Sequence, residues 1–280
     1  MSNRDLPPQA PPSPDAASPL DFAVAQRDRE TMRMVRDAVN RRDVVLAFQP
    51  IYQAEISETP AFYEALIRVL DETGRIIPAR EFIGAVENTE LGRQLDCLSL
   101  EMGLFSLAED PSLRLAVNMS ARSIGYPQWI KTLEEGLAAD ETVAERLILE
   151  ITESSAMTMP ELVSVFMQGL RARGVSFALD DFGAGYTSFR YLREFYFDII
   201  KIDSQFIQGI AQNPDNQVLT EALLAIAQHF DMFTVAEGVE TPEDAAFLRT
   251  IGIDCMQGYY FGAPSIVPPW KAETSTQIRA

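Results

Sequence analysis

Cysteine and histidine are nearly absent. Cys97, Cys255 and His229 are the only such residues in 280. Two cysteines make neither a disulfide scaffold nor a cysteine zinc site, and they fit a reducing cytoplasm. His229, in AIAQHFDMF, has no second histidine for a metal site and reads as a surface or packing residue near a helix end. Positive charge is also scarce. Lys and Arg number 23 against 41 Asp and Glu, a formal net charge of −18. Extended binding to DNA or RNA needs basic patches that neutralise phosphates, so bulk nucleic acid is excluded as a partner. A small anionic ligand is not excluded, provided cations gather locally. No apolar run reaches the roughly 18 residues of a transmembrane helix, so no membrane partner is expected. The opening MSNRDLPPQAPPSPDAASPL has no apolar segment of the signal-peptide kind. Its six prolines predict a disordered or extended tail over residues 1–22.

Beyond the tail, short apolar runs alternate with helical patterns over residues 23–275, and we expect one domain there. A charged helix starts at Gln26. The expected strands are Val44–Ile51, Ala61–Val69, Leu113–Ser120, Arg146–Thr152, Val175–Asp181, Phe197–Asp203, Met232–Gly238 and Cys255–Phe261. Between them, REFIGAVENTELGRQLDCLSLEMGLFSL reads as two helices, and PELVSVFMQGLRARG as one that opens on proline and closes on glycine. Eight strands alternating with helices at this length predict an α/β fold, a (β/α)8 barrel of the TIM type. No Gly-x-Gly-x-x-Gly fingerprint follows the first strand, which counts against an open dinucleotide-binding sheet.

One expected strand ends in FALDDFGAGYTSF, Phe177 to Phe189, with two carboxylates side by side. Adjacent like charges at a buried strand end need a proton, basic partners or metal ions to offset them. An aspartate capping a following helix is the plain alternative. In a barrel the chemistry collects where strands end. Glu64 and Arg68, Asn118, Glu150 and Glu153, Asp180 and Asp181, Lys201 and Asp203, Glu237 and Glu240, and Gln257 all fall near such ends, and Gln49 sits on the first strand. Oxygen-only donors from several strands suit hard cations such as Mg2+ or Mn2+.

These residues lie in YEALIRV, FQPI, VNMSARSI, LILEITES, DDFGAGYTSF, IIKID, VAEGVET and QGYYF. Taken in chain order, with FQPI first and YEALIRV second, they resemble the EAL family of cyclic di-GMP phosphodiesterases, whose name is spelled by Glu64-Ala65-Leu66. The resemblance covers roughly residues 44 to 265. It implies a TIM-type barrel with an antiparallel first strand, and hydrolysis of cyclic di-GMP to linear pGpG with two Mg2+ or Mn2+ ions per active site. Glu64, Asn118, Glu150 and Asp180 correspond to ligands of one metal. Asp180 and Asp181, with Glu237, correspond to ligands of the other. Lys201 corresponds to a lysine beside the attacking water, and Gln49, Glu64, Leu66, Arg68 and Gln257 to substrate-binding positions. Glu153 corresponds to the glutamate that steadies the loop after Asp181, and Glu240 is expected to support Glu237. Ca2+, with its longer and looser coordination, should bind without supporting cleavage.

Tyr196-Phe197 replaces a common proline, and Ala184 and Thr187 replace common Thr and Ser, without removing a ligand. The resemblance leaves open a homodimer, and whether Glu237 or the water alone serves as base. It also leaves open a catalytically silent receptor or interaction module, against which the complete ligand set argues.

Overall fold

The computed structural model describes residues 19–55, 59–184 and 192–271. Residues 1–18 of the expected tail, and 185–191 with Thr187 and the end of the DDFGAGYTSF motif, lie outside the described residues. Helix α1 (Pro19–Arg41) starts seven residues ahead of Gln26 and leads into β1 (Val44–Gln53) and β2 (Pro60–Leu70). Then come β3 (Ile76–Pro78), helices α2 (Ile83–Val86) and α3 (Glu90–Glu109), β4 (Leu115–Asn118), α4 (Pro127–Ala139) and β5 (Leu147–Thr152). Helices α5 (Glu153–Ala156) and α6 (Pro160–Arg171) precede β6 (Ser176–Phe182) and β7 (Ile199–Ile202), with β8 (Phe233–Ala236) and β9 (Cys255–Met256) closing the series.

The sheet order is β1-β9-β8-β7-β6-β5-β4-β2, and β1 pairs with β2 to close the barrel. β3, absent from the sequence expectation, is a hairpin extension of β2. All barrel strands run parallel except β1, which is antiparallel to both β2 and β9. Chain length accounts for the exception. Only residues 54–59 separate β1 from β2, and a parallel return needs a crossover of a dozen or more. The main core lies between barrel and helices, and a second one joins α1 to β3, α2 and α3.

A third cluster explains the site. It holds Ile51, Phe62, Ala116, Ile148, Ala178, Ile199, Val235 and Cys255, one residue from every barrel strand. Side chains two apart on a strand share a face. Two positions along from these eight are Gln49, Glu64, Asn118, Glu150, Asp180, Lys201, Glu237 and Gln257. Each strand thus places an apolar residue in the plug and, on the strand or one residue past its end, a polar residue in the layer above it. Burial of the plug keeps water from approaching the polar layer through the barrel. No helix among the described residues is long and apolar enough to cross a membrane.

Candidate active site

Lys201 sits at the centre of the polar layer and is 1% exposed. Its Nζ lies 2.8 Å from Glu237, 3.0 Å from Asp180, and 3.2 Å from both Glu64 and Glu150. Burial alone would strip its proton, but the four carboxylates prevail and push its pKa well above the ordinary value. Around it the acids divide. Burial raises Glu64, yet the Lys201 charge and hydrogen bonds from Gln257, Asn118 and Lys201 outweigh it and hold the carboxyl below its usual range. For Glu150, burial wins over Lys201, helped by repulsion from Glu64, Asp180 and Glu237, and the shift is strongly upward. Glu237 is pushed up to about 8, first by burial and then by Asp180 and Glu64, against the pull of Lys201.

Three amides finish the layer. Asn118 Nδ2 donates to Glu64 Oε1 at 2.8 Å. Gln257 Nε2 donates to Glu64 Oε2 at 2.7 Å and to Gln49 Oε1 at 3.1 Å, and Gln49 Nε2 donates to the Gly262 carbonyl at 3.1 Å. The amides therefore fix Glu64 from two sides. Gly258 follows Gln257, and a Cβ there would meet the Val239 backbone at 2.1 Å. Only glycine lets the chain past Val239 while Gln257 points inward, which ends β9 well short of Phe261.

Alternation would send Asp180 and Asp181 to opposite faces. The backbone breaks the alternation instead: Asp181 has φ +54, and the register with β7 shifts between Leu179 and Phe182. Aspartate tolerates this left-handed conformation better than most residues. As a result Asp180, Asp181 and Glu237 bring carboxylate oxygens within 4.8 Å of one another, an acidic cluster able to hold a metal ion. Burial, then Asp180 and Asp203, pushes Asp181 up to about 6. Glu153, at the start of α5, is buried, and its Oε2 accepts from the Gly183 N–H at 3.2 Å, two residues past Asp181. Asp203 caps the next helix by accepting from the Gln205 N–H at 2.8 Å. Glu240 meets Gln208 at 3.2 Å rather than Glu237.

The layer opens into a cavity of about 380 Å³, within the usual range for ligand pockets. Gln49, Glu64, Leu66, Arg68, Asp181, Glu237 and Gln257 line it. Asn118, Glu150, Asp180 and Lys201 lie below the lining, in the polar layer. Sequence reasoning missed Arg80 and Tyr259 on the same wall. Both fall outside the observed strands; Tyr259 lies in the QGYYF stretch, two residues past Gln257, whereas Arg80 follows β3, which the sequence did not show. Arg68 donates to the Ile67 carbonyl at 2.9 Å. Burial and the neighbouring Arg80 charge hold the Arg68 guanidinium below its ordinary pKa. Neither arginine forms a salt bridge among the described residues.

Known proteins are similar to this chain in sequence and fold. The chain is 33% identical over 245 residues to the cyclic di-GMP phosphodiesterase NbdA of Pseudomonas aeruginosa, covering 86% of this chain and 31% of that one. It is 30% identical over 237 residues to the cyclic di-GMP phosphodiesterase PdeF of Escherichia coli, covering 83% and 31%. The chain thus spans about a third of the length of these curated relatives. Among solved structures, the PaMucR phosphodiesterase in complex with c-di-GMP superposes with a TM-score of 0.74 at 29% identity, covering 87% of this chain and 99% of that one. The FimX EAL domain of Pseudomonas aeruginosa bound to c-di-GMP gives 0.76 at 26%, covering 85% and 97%. With the EAL domain itself matched across residues 32–264, over the strands that build the polar layer, this chain belongs to the EAL domain family.

Proposed function

We propose that the chain is a cytoplasmic phosphodiesterase that hydrolyses cyclic di-GMP to linear pGpG with two divalent cations, Mg2+ or Mn2+. Charge balance in the polar layer carries the reading. Glu64, Glu150, Asp180, Asp181 and Glu237 converge around a single ammonium, Lys201. Fully ionised, as metal binding would leave them, five carboxylates against one cation carry four net negative charges, the amount two divalent ions would cancel. The donor set fits such ions. It is all oxygen, and Glu150 Oε1 is buried with no hydrogen-bond partner among the described residues. Glu64, Asn118, Glu150 and Asp180 would hold one ion, and Asp180, Asp181 and Glu237 the other. When bound, the ions would lower the pKa of an attacking water and neutralise charge at phosphorus.

The chain's own residues supply the rest. Arg68 and Arg80 put two guanidiniums without salt bridges at the cavity wall of a protein whose net charge is −18, a local attraction for phosphate that Arg satisfies with paired hydrogen bonds. Gln49, Leu66 and Gln257 shape the wall against the nucleotide. Lys201, held by four carboxylates beneath the cavity, adds the positive charge next to the attacking water. Glu237 takes a proton as the water oxygen bonds to phosphorus and the P–O3′ bond breaks, and O3′ leaves to gain a proton from solvent. Glu153 holds Gly183 and so keeps Asp181 in place. The choice of cyclic di-GMP among phosphodiesters rests on the relatives named above. Both cysteines are buried and free, which supports a reducing compartment.

The test incubates the purified chain with cyclic di-GMP and Mg2+, Mn2+ or EDTA, and separates the products. Metal-dependent pGpG is the expected result. Binding of cyclic di-GMP without product would assign a receptor instead, and absence of binding would remove both readings.

A further inference from the structure

Asp96 lies on α3, outside the cavity lining, and no motif above includes it. Its Oδ2 accepts from the Ser120 N–H at 2.9 Å and from Ser123 Oγ at 2.6 Å. Ser120 is two residues beyond Asn118, where β4 ends after four residues. Other bonds secure the same segment. The Met119 N–H donates to the Glu150 carbonyl at 2.8 Å. The Ala121 N–H donates to Ser155 Oγ at 2.8 Å, and Ser155 in turn donates its N–H to Thr152 Oγ1 at 3.3 Å. A chain leaving so short a strand has little ladder to hold it. Residues 119–123 are instead tied to α3 on one side and to the end of β5 on the other.

We infer that Asp96 is a positioning residue for the metal site: its carboxylate clamps the segment after Asn118, and through Asn118 it fixes the orientation of Glu64. The path is short and continuous. Asp96 holds Ser120, Ser120 sets where β4 stops, and Asn118 Nδ2 holds Glu64 Oε1 at 2.8 Å. Carboxylates that orient a ligand from behind commonly change metal affinity by about 10- to 100-fold when removed. Asp96 reaches the site through a backbone N–H and a side-chain amide, so only the Glu64 side of the site depends on it. The Asp180, Asp181 and Glu237 side is held separately, through Glu153 and Gly183.

This inference rests on the reading of Glu64 and Asn118 as metal ligands, and calorimetry separates the two. The full chain is titrated with Mn2+ as wild type, Asp96→Ala, Asp96→Leu and Asp96→Asn. Alanine leaves a gap and leucine fills it, but both delete the acceptor. Each should weaken one of two Mn2+ binding steps about 10- to 100-fold, leave the other step within about threefold, and remain folded by circular dichroism at the temperature of the titration. Asparagine retains an oxygen acceptor and should restore most of the affinity. Unchanged Mn2+ binding in a folded Ala or Leu variant overturns the inference, as does an Asn variant as weak as Ala. If neither deletion folds, Asp96 belongs to the fold alone and the inference falls. Absence of Mn2+ binding in the wild type would instead overturn the metal reading on which it stands.

Discussion

Replacing Lys201 with methionine keeps most of the side-chain volume and removes one ammonium from the middle of the barrel. In the structure that ammonium makes four contacts of 2.8 to 3.2 Å with carboxylates and is 1% exposed. Breaking a buried ion pair by removing one partner costs about 3–5 kcal/mol, because the remaining charge has no compensation. At about 2–4 °C per kcal/mol for a domain of this size, the metal-free variant should melt roughly 6–20 °C below wild type. Two features modulate the loss. Divalent cations restore positive charge to the layer, so saturating Mg2+ should shrink the difference to less than half. Protons do the same at low pH, so the difference should be smaller at pH 5.5 than at pH 8.5. Thermal melts of both proteins, with EDTA and with Mg2+, read all of this without any enzyme assay. An unchanged melting temperature, or a loss that is equal with and without Mg2+, would refute the view of Lys201 as the internal counter-charge of a metal site.

Asp180→Asn keeps the shape and removes the charge that Asp180 would share between two ions; turnover of cyclic di-GMP should fall more than about 100-fold, beyond the loss of a merely supporting contact, and near-normal turnover in saturating Mg2+ would count against two ions. Glu153→Ala frees the Gly183 N–H and lets Asp181 drift; kcat should drop on the order of 100-fold with an intact circular dichroism spectrum, and normal kcat with normal Mg2+ dependence would leave Glu153 no part in placing Asp181. Ca2+ should support cyclic di-GMP binding and not cleavage, since it takes the same oxygens at longer, looser distances, and equal rates with Ca2+ and Mg2+ would contradict this. Finally, Glu237 at about 8 and Asp181 at about 6 both lie above their ordinary values of 4.5 and 3.8. A raised carboxyl favours the folded state below its ordinary pKa, and that contribution is lost as pH climbs through the folded value. The metal-free melting temperature should therefore fall between about pH 4 and pH 8, while metal affinity rises over the same window as those protons are released, and a flat profile in melts and calorimetry would refute it.

Much of this architecture was legible in the residues. Short, strand-like apolar stretches marked the place of every barrel strand, and the polar residues near their ends mark the layer that surrounds Lys201. Other features were hidden for physical reasons. Periodicity says nothing about strand direction, although the nine residues between the expected strands at Val44–Ile51 and Ala61–Val69 already are too few for a crossover helix. Adjacent Asp180 and Asp181 suggested a shared role, but only the left-handed turn at Asp181 lets them face one another. β3 is three residues long and carries too little pattern to detect. Asp96 and Arg80 act through neighbours far away in the chain, so no local spacing exposes them. Lys201 in IIKID looked like one rim residue among many, and its four carboxylate contacts come from four other strands or strand ends.

The reversed first strand also decides at which end the polypeptide enters. In an all-parallel barrel the chain arrives at the base, the full height of the sheet from the chemistry. Here β1 runs downward from the mouth, with Val44 paired to Val69 near the upper end of β2. Helix α1 therefore docks at the mouth, where Val35 and Ala38 share a small core with Phe82, Val86 and Ile77. That core lies directly under the turn that carries Pro78, Ala79 and Arg80 along the cavity wall. A push or twist on α1 reaches Arg80 on the cavity wall through one layer of side chains, without crossing the barrel. The antiparallel strand thus makes α1 a handle on the entrance.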